Sequence, residues 1–321
     1  MRICFVAYFN NEGGTGDMGT RTVARHLAGG VSKTHEVLRV DVRDIGSWRK
    51  AKAFGPDIIH FVFAPTTMGF VAARLFSLYC RGARTVISAP NPTLSCGWLV
   101  KHLRPDVILV QSQESEKFFQ GLGFNTRFLS NGVDVERFVP ATPGQKEQFR
   151  EMYRIDVEKF VILHVGPVIR KRNIEQLLEL QGEDTQVVVV GRRPYDSRLL
   201  AELRAQGAVV ITEYVERIEE VYALSDAYVF PTDPENRGAS IEIPLSVLEA
   251  MACNLPVVST KFGALPVIMK ESNEFIFYRS INEISAKSIQ KMHDVTKNRE
   301  EMKSLSWPNI VKKLEAMYCE F

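Results

Sequence analysis

The sequence has 321 residues, of which 45% are hydrophobic and 24% are charged, ordinary values for a globular protein of about two domains. The formal net charge of +2 argues against a nucleic-acid-binding protein, although residues 1–140 carry a net +6 and the remainder a net −4. No segment approaches the roughly 18 apolar residues of a membrane-spanning helix, no signal peptide is evident, and five dispersed cysteines predict reduced thiols and a cytoplasmic location.

The first half of the chain alternates between strand-like and helix-like segments. The strand-like segments are short and rich in β-branched and aromatic residues, which predicts a doubly wound parallel sheet with helices between the strands. The predicted strands lie at residues 3–9, 36–42, 57–64, 84–90 and 106–112, and the predicted helices at 19–28, 68–80 and 114–124.

The segment FNNEGGTGDMGTR, residues 9–21, contains G-x-G-x-x-G between the first strand and the first helix, and Asp41 ends the next strand. This pattern is typical of dinucleotide-binding folds. In those folds the first glycine follows the strand almost directly, whereas residues 10–13 intervene here. We therefore interpret the match as coincidental and the segment as a polar loop at the rim of a ligand cleft.

A looser stretch, residues 131–155, follows the first domain, and Pro140, Pro143 and Gly144 predict that it is a linker. The alternation then restarts and predicts a second α/β domain. Its predicted strands lie at 160–166, 186–191, 209–212, 227–232 and 256–260, and its helices at 173–180, 197–206, 217–225 and 244–253. Residues 306–321 predict an amphipathic helix, with Ile310, Leu314 and Met317 along one face.

Two segments of the second domain carry features of a nucleotide-diphosphate site. In residues 230–266 a strand runs into a polar loop, and Pro244 starts a helix whose free amides and dipole favour a phosphate. Glu249 in that helix could accept two hydrogen bonds from a vicinal diol such as a ribose, although an ordinary surface glutamate is the alternative. In residues 164–180 a basic triplet, Arg170–Arg172, follows a strand end, where it could neutralise a pyrophosphate or form a solvated basic loop.

Together with SNGVDVERFVP (130–140) and the Gly-rich segment, these segments resemble, in order, those of glycosyltransferase family 4, retaining enzymes of the GT-B fold. The resemblance spans nearly the whole chain, and residues 240–266 are its most specific part. It implies two Rossmann-like, doubly wound parallel-sheet domains facing a cleft, at 1–140 and 155–305, with the helix at 306–321 crossing back to the first. It also implies a hexosyltransferase that moves a sugar from a nucleotide-diphospho-sugar, such as a UDP- or GDP-sugar, to a hydroxyl without a metal or cofactor.

The resemblance implies donor-binding roles for single residues. Glu249 corresponds to the second glutamate of the family's E-x7-E motif, which holds the donor ribose. Arg172 lies where the family has a phosphate-binding lysine, and Arg170 substitutes for a family arginine whose place is taken by Pro167. The other donor-binding residues that the resemblance implies are Gly13, Gly14, Lys171, Gly191, Arg192, Tyr214, Val215, Ile243, Pro244, Leu245 and Ser246.

Three catalytic candidates fit the family pattern only in part. Counting back eight residues from Glu249 reaches Ile241, so that Glu242 needs a bulge to bring its carboxylate to the sugar. Asn91 lies in the region where the family often has a histidine. His60 matches a frequent family histidine, and could as well be a core histidine at a strand end.

The acceptor is expected on the first domain, near residues 10–20, 65–69 and 91–97, where Glu12 or Asp17 would touch it. The basic charge of this domain favours an anionic or membrane-linked acceptor and peripheral association with the inner face of the membrane. No metal-binding or nucleic-acid-recognition motif is evident. A non-catalytic nucleotide-sugar-binding protein and a nucleotide-sugar epimerase on the same fold stay open as alternatives.

Overall fold

A computed structural model of the chain describes residues 1–9, 18–63, 66–88, 100–193, 195–234, 242–292 and 297–320. The chain forms two compact units, each assembled from separate stretches of sequence. Unit 1 comprises Met1–Gly132, Arg237–Ile243 and Trp307–Phe321, and unit 2 comprises Val133–Asn236 and Pro244–Ser306. Each unit is built on its own six-stranded parallel sheet, which confirms the predicted fold class of two doubly wound α/β sheets.

The sheet of unit 1 has the strand order β2-β1-β3-β4-β5-β6, and its neighbouring strands are parallel. Its strands are largely buried, as expected for a parallel sheet covered by helices. The strands are β1 (Arg2–Ala7), β2 (Glu36–Asp41), β3 (Ile58–Val62), β4 (Arg84–Ser88), β5 (Val107–Val110) and β6 (Thr126–Phe128). The helices are α1 (Met18–Val31), α2 (Ile45–Phe54), α3 (Thr67–Tyr79), α4 (Gln113–Gly121) and α12 (Trp307–Tyr318).

An aromatic cluster fixes α3 on the sheet of unit 1. Phe61 of β3 meets Phe76 of α3 edge to face, with ring centroids 5.9 Å apart, and Phe70 packs against Phe124 at 5.6 Å. The helix begins where the Thr66 hydroxyl accepts a hydrogen bond from a backbone N–H of its first turn. Because α3 buries the face that carries Phe70 and Phe76, the orientation of its opposite face is also determined.

Helix α12 completes unit 1 by packing against α1. The indole of Trp307 stacks on the ring of His26, with centroids 4.7 Å apart, and the Tyr318 hydroxyl lies 2.5 Å from Nδ1 of His60. The predicted helix is confirmed, with Ile310 and Leu314 of its predicted apolar face buried and Met317 half-buried. The aromatic residues at both ends of α12 also occupy the core, and the buried side chains are Trp307, Ile310, Val311, Leu314 and Tyr318.

The sheet of unit 2 is also parallel and has the order β12-β11-β10-β7-β8-β9. Its strands are β7 (Phe160–Val165), β8 (Thr185–Val190), β9 (Val209–Ile211), β10 (Ala227–Phe230), β11 (Val257–Thr260) and β12 (Phe275–Tyr278). Its helices are α5 (Pro143–Met152), α6 (Ser197–Ala205), α7 (Ile218–Ala223), α8 (Leu245–Ala252), α9 (Leu265–Ile268), α10 (Ala286–Met292) and α11 (Asn298–Ser304), with 3-10 helices at Arg170–Arg172, Ile174–Leu180 and Ile281–Glu283. Across the described parts of both units, no helix is both long and apolar enough to cross a bilayer.

The predicted linker contains a helix, and that part of the prediction is wrong. Pro143 occupies the first turn of α5, where a proline needs no amide hydrogen, and Thr142 forms a capping box with Gln145. The buried Arg150 then ties α5 to the sheet, because its Nη2 lies 2.5 Å from Oδ2 of Asp226. In a sequence, a proline that starts a helix can be distinguished from one that breaks a helix only if the capping residue before it is recognised.

The close packing of α12 on α1 gives a matched pair of substitutions. A Cβ on Gly30 would lie 2.4 Å from Cγ2 and 3.2 Å from Cβ of Val311, whereas a Cβ on Gly29 would come no closer than 3.5 Å to Arg39. We expect Gly29→Ala to raise the free energy of unfolding by about 0.5–1 kcal/mol through helix propensity. We expect Gly30→Ala to lower it by about 1–3 kcal/mol through overpacking, as measured by urea unfolding. Equal effects of the two substitutions would contradict this packing.

Candidate functional site

The candidate site of unit 2 lies where the strand order of its sheet reverses. Strands β7 and β10 are neighbours, and the chain proceeds from β7 towards one edge of the sheet and from β10 towards the other. In parallel sheets, ligands bind beyond the carboxyl ends of the strands at such a reversal. The two loops that leave β7 and β10 here are parts of the segments 164–180 and 230–266, the same two that the sequence singled out.

A cation and a neutral imidazole lie at the carboxyl end of β7. The missing side chain of Gly166 leaves room there, because a Cβ on it would be 3.0 Å from Nε2 of His164 and 3.8 Å from Nη1 of Arg172. Nδ1 of His164 lies 3.0 Å from the carbonyl oxygen of Val229, so Nδ1 donates and Nε2 keeps its lone pair. Burial lowers the pKa of His164 to about 4, and the charge of Arg172 acts in the same direction. Arg172 is therefore the charged group at this strand end, beside an uncharged ring.

Helix α8 begins beside the same strand end. Pro244 has the extended conformation of an N-cap residue, and the first amides of a helix have no carbonyl partner within it, which makes them donors for a phosphate. The Ser246 hydroxyl is hydrogen-bonded to the hydroxyl of Tyr228, which in turn donates to the carbonyl oxygen of Val165 at 3.3 Å. This chain of bonds joins the start of α8 to the end of β7.

Glu249 lies about one turn further along α8. The hydroxyl of Tyr222 donates a hydrogen bond to its Oε2 at 2.7 Å. Burial raises the pKa of Glu249, while the hydrogen bond from Tyr222 and the charge of Arg137 act in the opposite direction. The carboxylate of the half-buried Glu249 is thus held by a neutral donor, unlike that of an ordinary surface glutamate.

Four of the predicted donor-binding residues, Gly191, Arg192, Tyr214 and Val215, follow the ends of β8 and β9. A Cβ on Gly191 would be 2.3 Å from the carbonyl oxygen of Gly166, so that only glycine allows the two strand ends to approach. The guanidinium of Arg192 stacks over the exposed ring of Tyr214, 4.8 Å from its centroid, and Val215 follows half-buried. The stacked pair is a flat surface of the kind that a nucleobase can contact.

Arg170 differs from Arg172 in its surroundings. Its guanidinium lies 2.7 Å from Oε2 of Glu202 and 3.8 Å from Oδ2 of Asp196. Asp196 caps the start of α6, and Glu202 lies within that helix. The hydrogen bond to Glu202 raises the pKa of Arg170. Lys171 is exposed. The structure therefore brings Arg172, rather than Arg170, together with the start of α8.

The catalytic candidate Glu242 belongs to unit 1. Its Oε1 accepts hydrogen bonds from the hydroxyls of Ser112 at 2.7 Å and Ser115 at 2.6 Å, at the N-terminus of α4. Burial raises the pKa of Glu242, and the two serine hydroxyls act against that shift. The amide of Asn131 holds the neighbouring backbone by donating to the carbonyl oxygen of Ile243 at 2.8 Å. A catalytic role for Glu242 stays a prediction, and Ile241 beside it lies outside the described residues.

His60 is fully buried in the middle of β3. Its Nδ1 lies 2.5 Å from the hydroxyl of Tyr318, and its Nε2 lies 2.7 Å from Oγ of Ser88. Burial lowers the pKa of His60 to about 3. With both ring nitrogens bonded inside the protein, His60 has the surroundings of a core histidine, the second interpretation that the sequence left open. The other predicted residues Gly13, Gly14 and Asn91, and the acceptor candidates Glu12 and Asp17, lie outside the described residues.

Asp41 has a structural partner for each of its oxygens. Oδ2 accepts a hydrogen bond from the backbone N–H of Phe9 at 2.9 Å, and Oδ1 accepts one from the backbone N–H of Arg43 at 3.0 Å. The carboxylate thus holds the chain that leaves β1 and β2. These bonds agree with the interpretation that the nearby G-x-G-x-x-G is not a dinucleotide fingerprint.

Sequence reasoning missed the polar side chains that support the site. Tyr222, Tyr228 and His164 each stand among apolar neighbours, in EEVYALS, AYVF and FVILHVG. A hydroxyl or imidazole in an otherwise apolar buried segment needs a partner, and that signal could have identified them. The serines that hold Glu242 carried no comparable signal, because serines are common at the start of helices.

Residues 159–294 match the family model described as Glycosyl transferases group 1. The matched part includes Arg172, Ser246 and Glu249, and it confirms the resemblance of the sequence to this group of glycosyltransferases.

The curated relatives that the chain matches are longer proteins. A sulfoquinovosyl transferase from Arabidopsis thaliana is 29% identical over 241 residues, which are 69% of this chain and 46% of that protein. A GDP-mannose-dependent monoacylated alpha-(1-6)-phosphatidylinositol monomannoside mannosyltransferase from Corynebacterium glutamicum is 29% identical over 175 residues, which are 50% of this chain and 46% of that protein. The chain thus spans about half the length of these relatives.

Two solved structures share the fold. HepE from Anabaena, in complex with UDP-glucose, has a TM-score of 0.76 and 15% identity over 100% of both chains. A sucrose-phosphate synthase from Thermosynechococcus elongatus has a TM-score of 0.76 and 15% identity over 99% of this chain and 98% of its own. This likeness extends the shared fold from the group 1 residues to nearly the whole chain.

The buried His60 predicts a specific sensitivity to acid. The pKa of His60 is about 3 in the folded protein against an ordinary value of 6.5, so the unfolded state binds a proton where the folded state does not. The free energy of unfolding of the wild type is therefore expected to fall as the pH is lowered from about 6.5 to about 3. His60→Gln should reduce this slope in urea unfolding at a series of pH values. His102→Gln, on the surface, is the matched control, and equal slopes for all three proteins would contradict the prediction.

The half-buried Glu249 predicts a pH dependence of stability of opposite sign. Burial raises its pKa, so the native state is destabilised by ionised Glu249 at high pH and not by the protonated form at low pH. Glu249→Gln cannot ionise, and it keeps an oxygen for the hydroxyl of Tyr222. We expect the stability of this variant, relative to wild type, to increase from about pH 4 to about pH 8. Glu147→Gln, on the exposed face of α5, is the control, and a difference that does not change with pH would refute a raised pKa of Glu249.

Proposed function

We propose that the protein is a retaining glycosyltransferase, which moves a hexose from a nucleotide-diphospho-sugar to a hydroxyl of an anionic or membrane-linked acceptor. The observation that carries this proposal is the meeting of Arg172, the start of α8 and Glu249 at the reversal of the unit 2 sheet. These groups have the charge and hydrogen-bonding capacity for a nucleoside diphosphate. They also lie within the residues that match the group 1 family.

In the proposed donor complex, each part of the nucleotide has a partner in unit 2. Arg172 and the first amides of α8, at Leu245 and Ser246, bind the diphosphate. Glu249 accepts hydrogen bonds from the two ribose hydroxyls. Because Tyr222 already donates to Oε2 of this carboxylate, its orientation is fixed before the ribose arrives.

The same groups stabilise the leaving diphosphate during transfer. Negative charge grows on the diphosphate as the glycosidic bond breaks, and the guanidinium of Arg172 and the α8 amides are oriented towards that charge in advance. The sugar passes through an oxocarbenium-like transition state. The acceptor oxygen attacks the same face from which the diphosphate leaves, and the acceptor's proton passes to the leaving phosphate oxygen, which retains the anomeric configuration. This scheme requires no metal, and transfer is expected to continue in the presence of EDTA.

The chemistry of the acceptor is inferred from charge and from the relatives. Residues 1–140 carry a net positive charge, which favours an anionic substrate or membrane surface. The name of the C. glutamicum relative includes a phosphatidylinositol monomannoside as its acceptor and GDP-mannose as its donor, and the Anabaena structure contains UDP-glucose. A cytoplasmic transferase at the inner face of a membrane agrees with these properties.

The two neighbouring arginines provide the sharpest test of the donor site. We expect Arg172→Ala to weaken binding of UDP-glucose or GDP-mannose by about 10- to 100-fold in calorimetric titrations, because a charge-assisted hydrogen bond contributes about 1.5–3 kcal/mol. Arg170→Ala is the matched control, because its guanidinium is already paired with Glu202, and we expect a change of about threefold or less. Equal losses in the two variants would contradict the assignment of the diphosphate to Arg172.

The transfer reaction itself is tested with the donor that binds. Incubation with that nucleotide-sugar and a membrane lipid extract is expected to give a glycosylated lipid with the anomeric configuration of the donor, as determined by mass spectrometry and NMR. Binding without transfer or hydrolysis would instead identify a nucleotide-sugar-binding protein. An isomerised nucleotide-sugar formed without an acceptor would identify an epimerase.

A further inference from the structure

Helix α3 of unit 1 exposes a continuous apolar stripe to solvent. The stripe consists of residues spaced three or four apart, as on one side of a helix. Met68, Leu75 and Leu78 are exposed to 74%, 56% and 57%, and Tyr79 to 37%. Val71 and Ala72 fill the spaces between them and are half-buried. We call Met68, Val71, Ala72, Leu75, Leu78 and Tyr79 the α3 stripe.

The α3 stripe is separate from the face that holds the helix in the protein. The opposite side of α3 buries Phe70, Ala73 and Phe76 against the core. An ordinary surface helix of a globular protein has charged residues opposite its buried face, whereas α3 is apolar on both sides. Single exposed apolar residues need no explanation, but a contiguous exposed stripe marks an interaction surface.

Basic side chains flank the α3 stripe on both sides. On one side, Arg74 of the helix lines an open depression together with Lys101, His102 and Arg104. On the other side, Nζ of Lys52 lies 4.7 Å from the ring centroid of Tyr79. Arg74 is exposed to solvent. The surface therefore combines an apolar centre with a cationic border.

We propose that the α3 stripe and its basic border bind the surface of a membrane that contains anionic phospholipids. The apolar side chains would enter the boundary between headgroups and acyl chains, while the cations would contact the lipid phosphates, as in helices that lie in a membrane interface. Charge complementarity selects this occupant, because an apolar protein partner alone would not require cations on both sides of the stripe. Tyr79 suits the border between the two regions, since its ring is apolar and its hydroxyl is polar.

This proposal concerns unit 1 and does not rest on the donor site of unit 2. It places the chain on the lipid surface by a defined helix, whatever reaction the chain catalyses there. A failure of lipid binding would leave the donor-binding assignment of Arg172 and Glu249 intact. A failure of donor binding would equally leave the α3 stripe in place.

The test is cosedimentation of the whole chain with vesicles. Wild-type protein is expected to bind vesicles of phosphatidylcholine and phosphatidylglycerol more tightly than vesicles of phosphatidylcholine alone, and added salt should weaken the binding. Leu75→Glu/Leu78→Glu should lower the partition coefficient by about tenfold or more, because it removes two apolar insertions and adds repulsion. Arg74→Ala should lower it by about fivefold, the effect expected for one cation near an anionic surface.

Met152→Glu is the matched control, because this exposed methionine lies on α5 of unit 2; its binding should equal that of the wild type. Thermal unfolding of each variant checks that the fold is kept, and Arg74→Ala tests the proposal even if the double variant were unstable. Equal binding to both kinds of vesicle, or an equal loss in Met152→Glu, would overturn the proposal. A dimer in sedimentation velocity that Leu75→Glu/Leu78→Glu dissociates would assign the stripe to a second copy of the chain, which would overturn it too.

Discussion

The reversal of strand order between β7 and β10 is the constraint on which the candidate site depends. All strands of the unit 2 sheet are parallel, so their carboxyl ends lie along one edge. At the reversal, the connection from β7 to β8 and the connection from β10 to β11 lead towards opposite edges of the sheet, which leaves the ends of β7 and β10 uncovered. The segment after β7 begins with Gly166, and the segment after β10 leads to the start of α8. Gly191, at the end of the neighbouring strand β8, allows its backbone to approach the carbonyl oxygen of Gly166. The topology of the backbone thus determines where the free amides of α8 and the segment that carries Arg172 are placed.

The ionisable groups near this reversal are kept largely out of water. His164 stays neutral because burial opposes its protonation, and Glu249 is held by the hydroxyl of Tyr222 rather than by a salt bridge at its carboxylate. A buried carboxylate with one neutral donor lowers stability unless a ligand supplies further donors. Ribose hydroxyls would supply them, so that the same burial that costs stability in the free protein strengthens each hydrogen bond in the complex.

Much of the fold could be predicted from the sequence, because buried parallel strands form short apolar runs that glycines and helices separate. The edge strands β6 and β12 were not predicted. Strand β6 has only three residues, two of them exposed. Strand β12, with the sequence FIFY, is half-buried at its two central residues and lies beyond the predicted alternation of strands and helices. The edge strands β2 and β9 were predicted, so an edge position alone does not hide a strand; β6 and β12 carry less of the apolar signal that identifies central strands.

Residues of the candidate site could be predicted where their role follows from the local sequence. They could not be predicted where their role depends on contacts with residues far away in the sequence. Arg172 and the start of α8 follow from local sequence, because a cation after a strand and a proline at a helix start each have a local physical meaning. The pairing of Arg170 with Glu202, and of Glu242 with Ser112, joins residues that are far apart in sequence. Only the tertiary structure distinguishes two arginines that have the same chemistry and lie two positions apart in the sequence.

Helix α12 also determines the order in which the chain can acquire its structure. Unit 1 begins with the first strand, yet its core includes Trp307 and Tyr318, which the ribosome adds only after all of unit 2. The contact between His60 and Tyr318 spans 258 positions, and contacts of such separation form late because their loop must first close. During synthesis, therefore, unit 2 can complete its core while unit 1 still lacks a helix. Cutting the chain after residue 132 would isolate a sheet without its closing element rather than an independent domain.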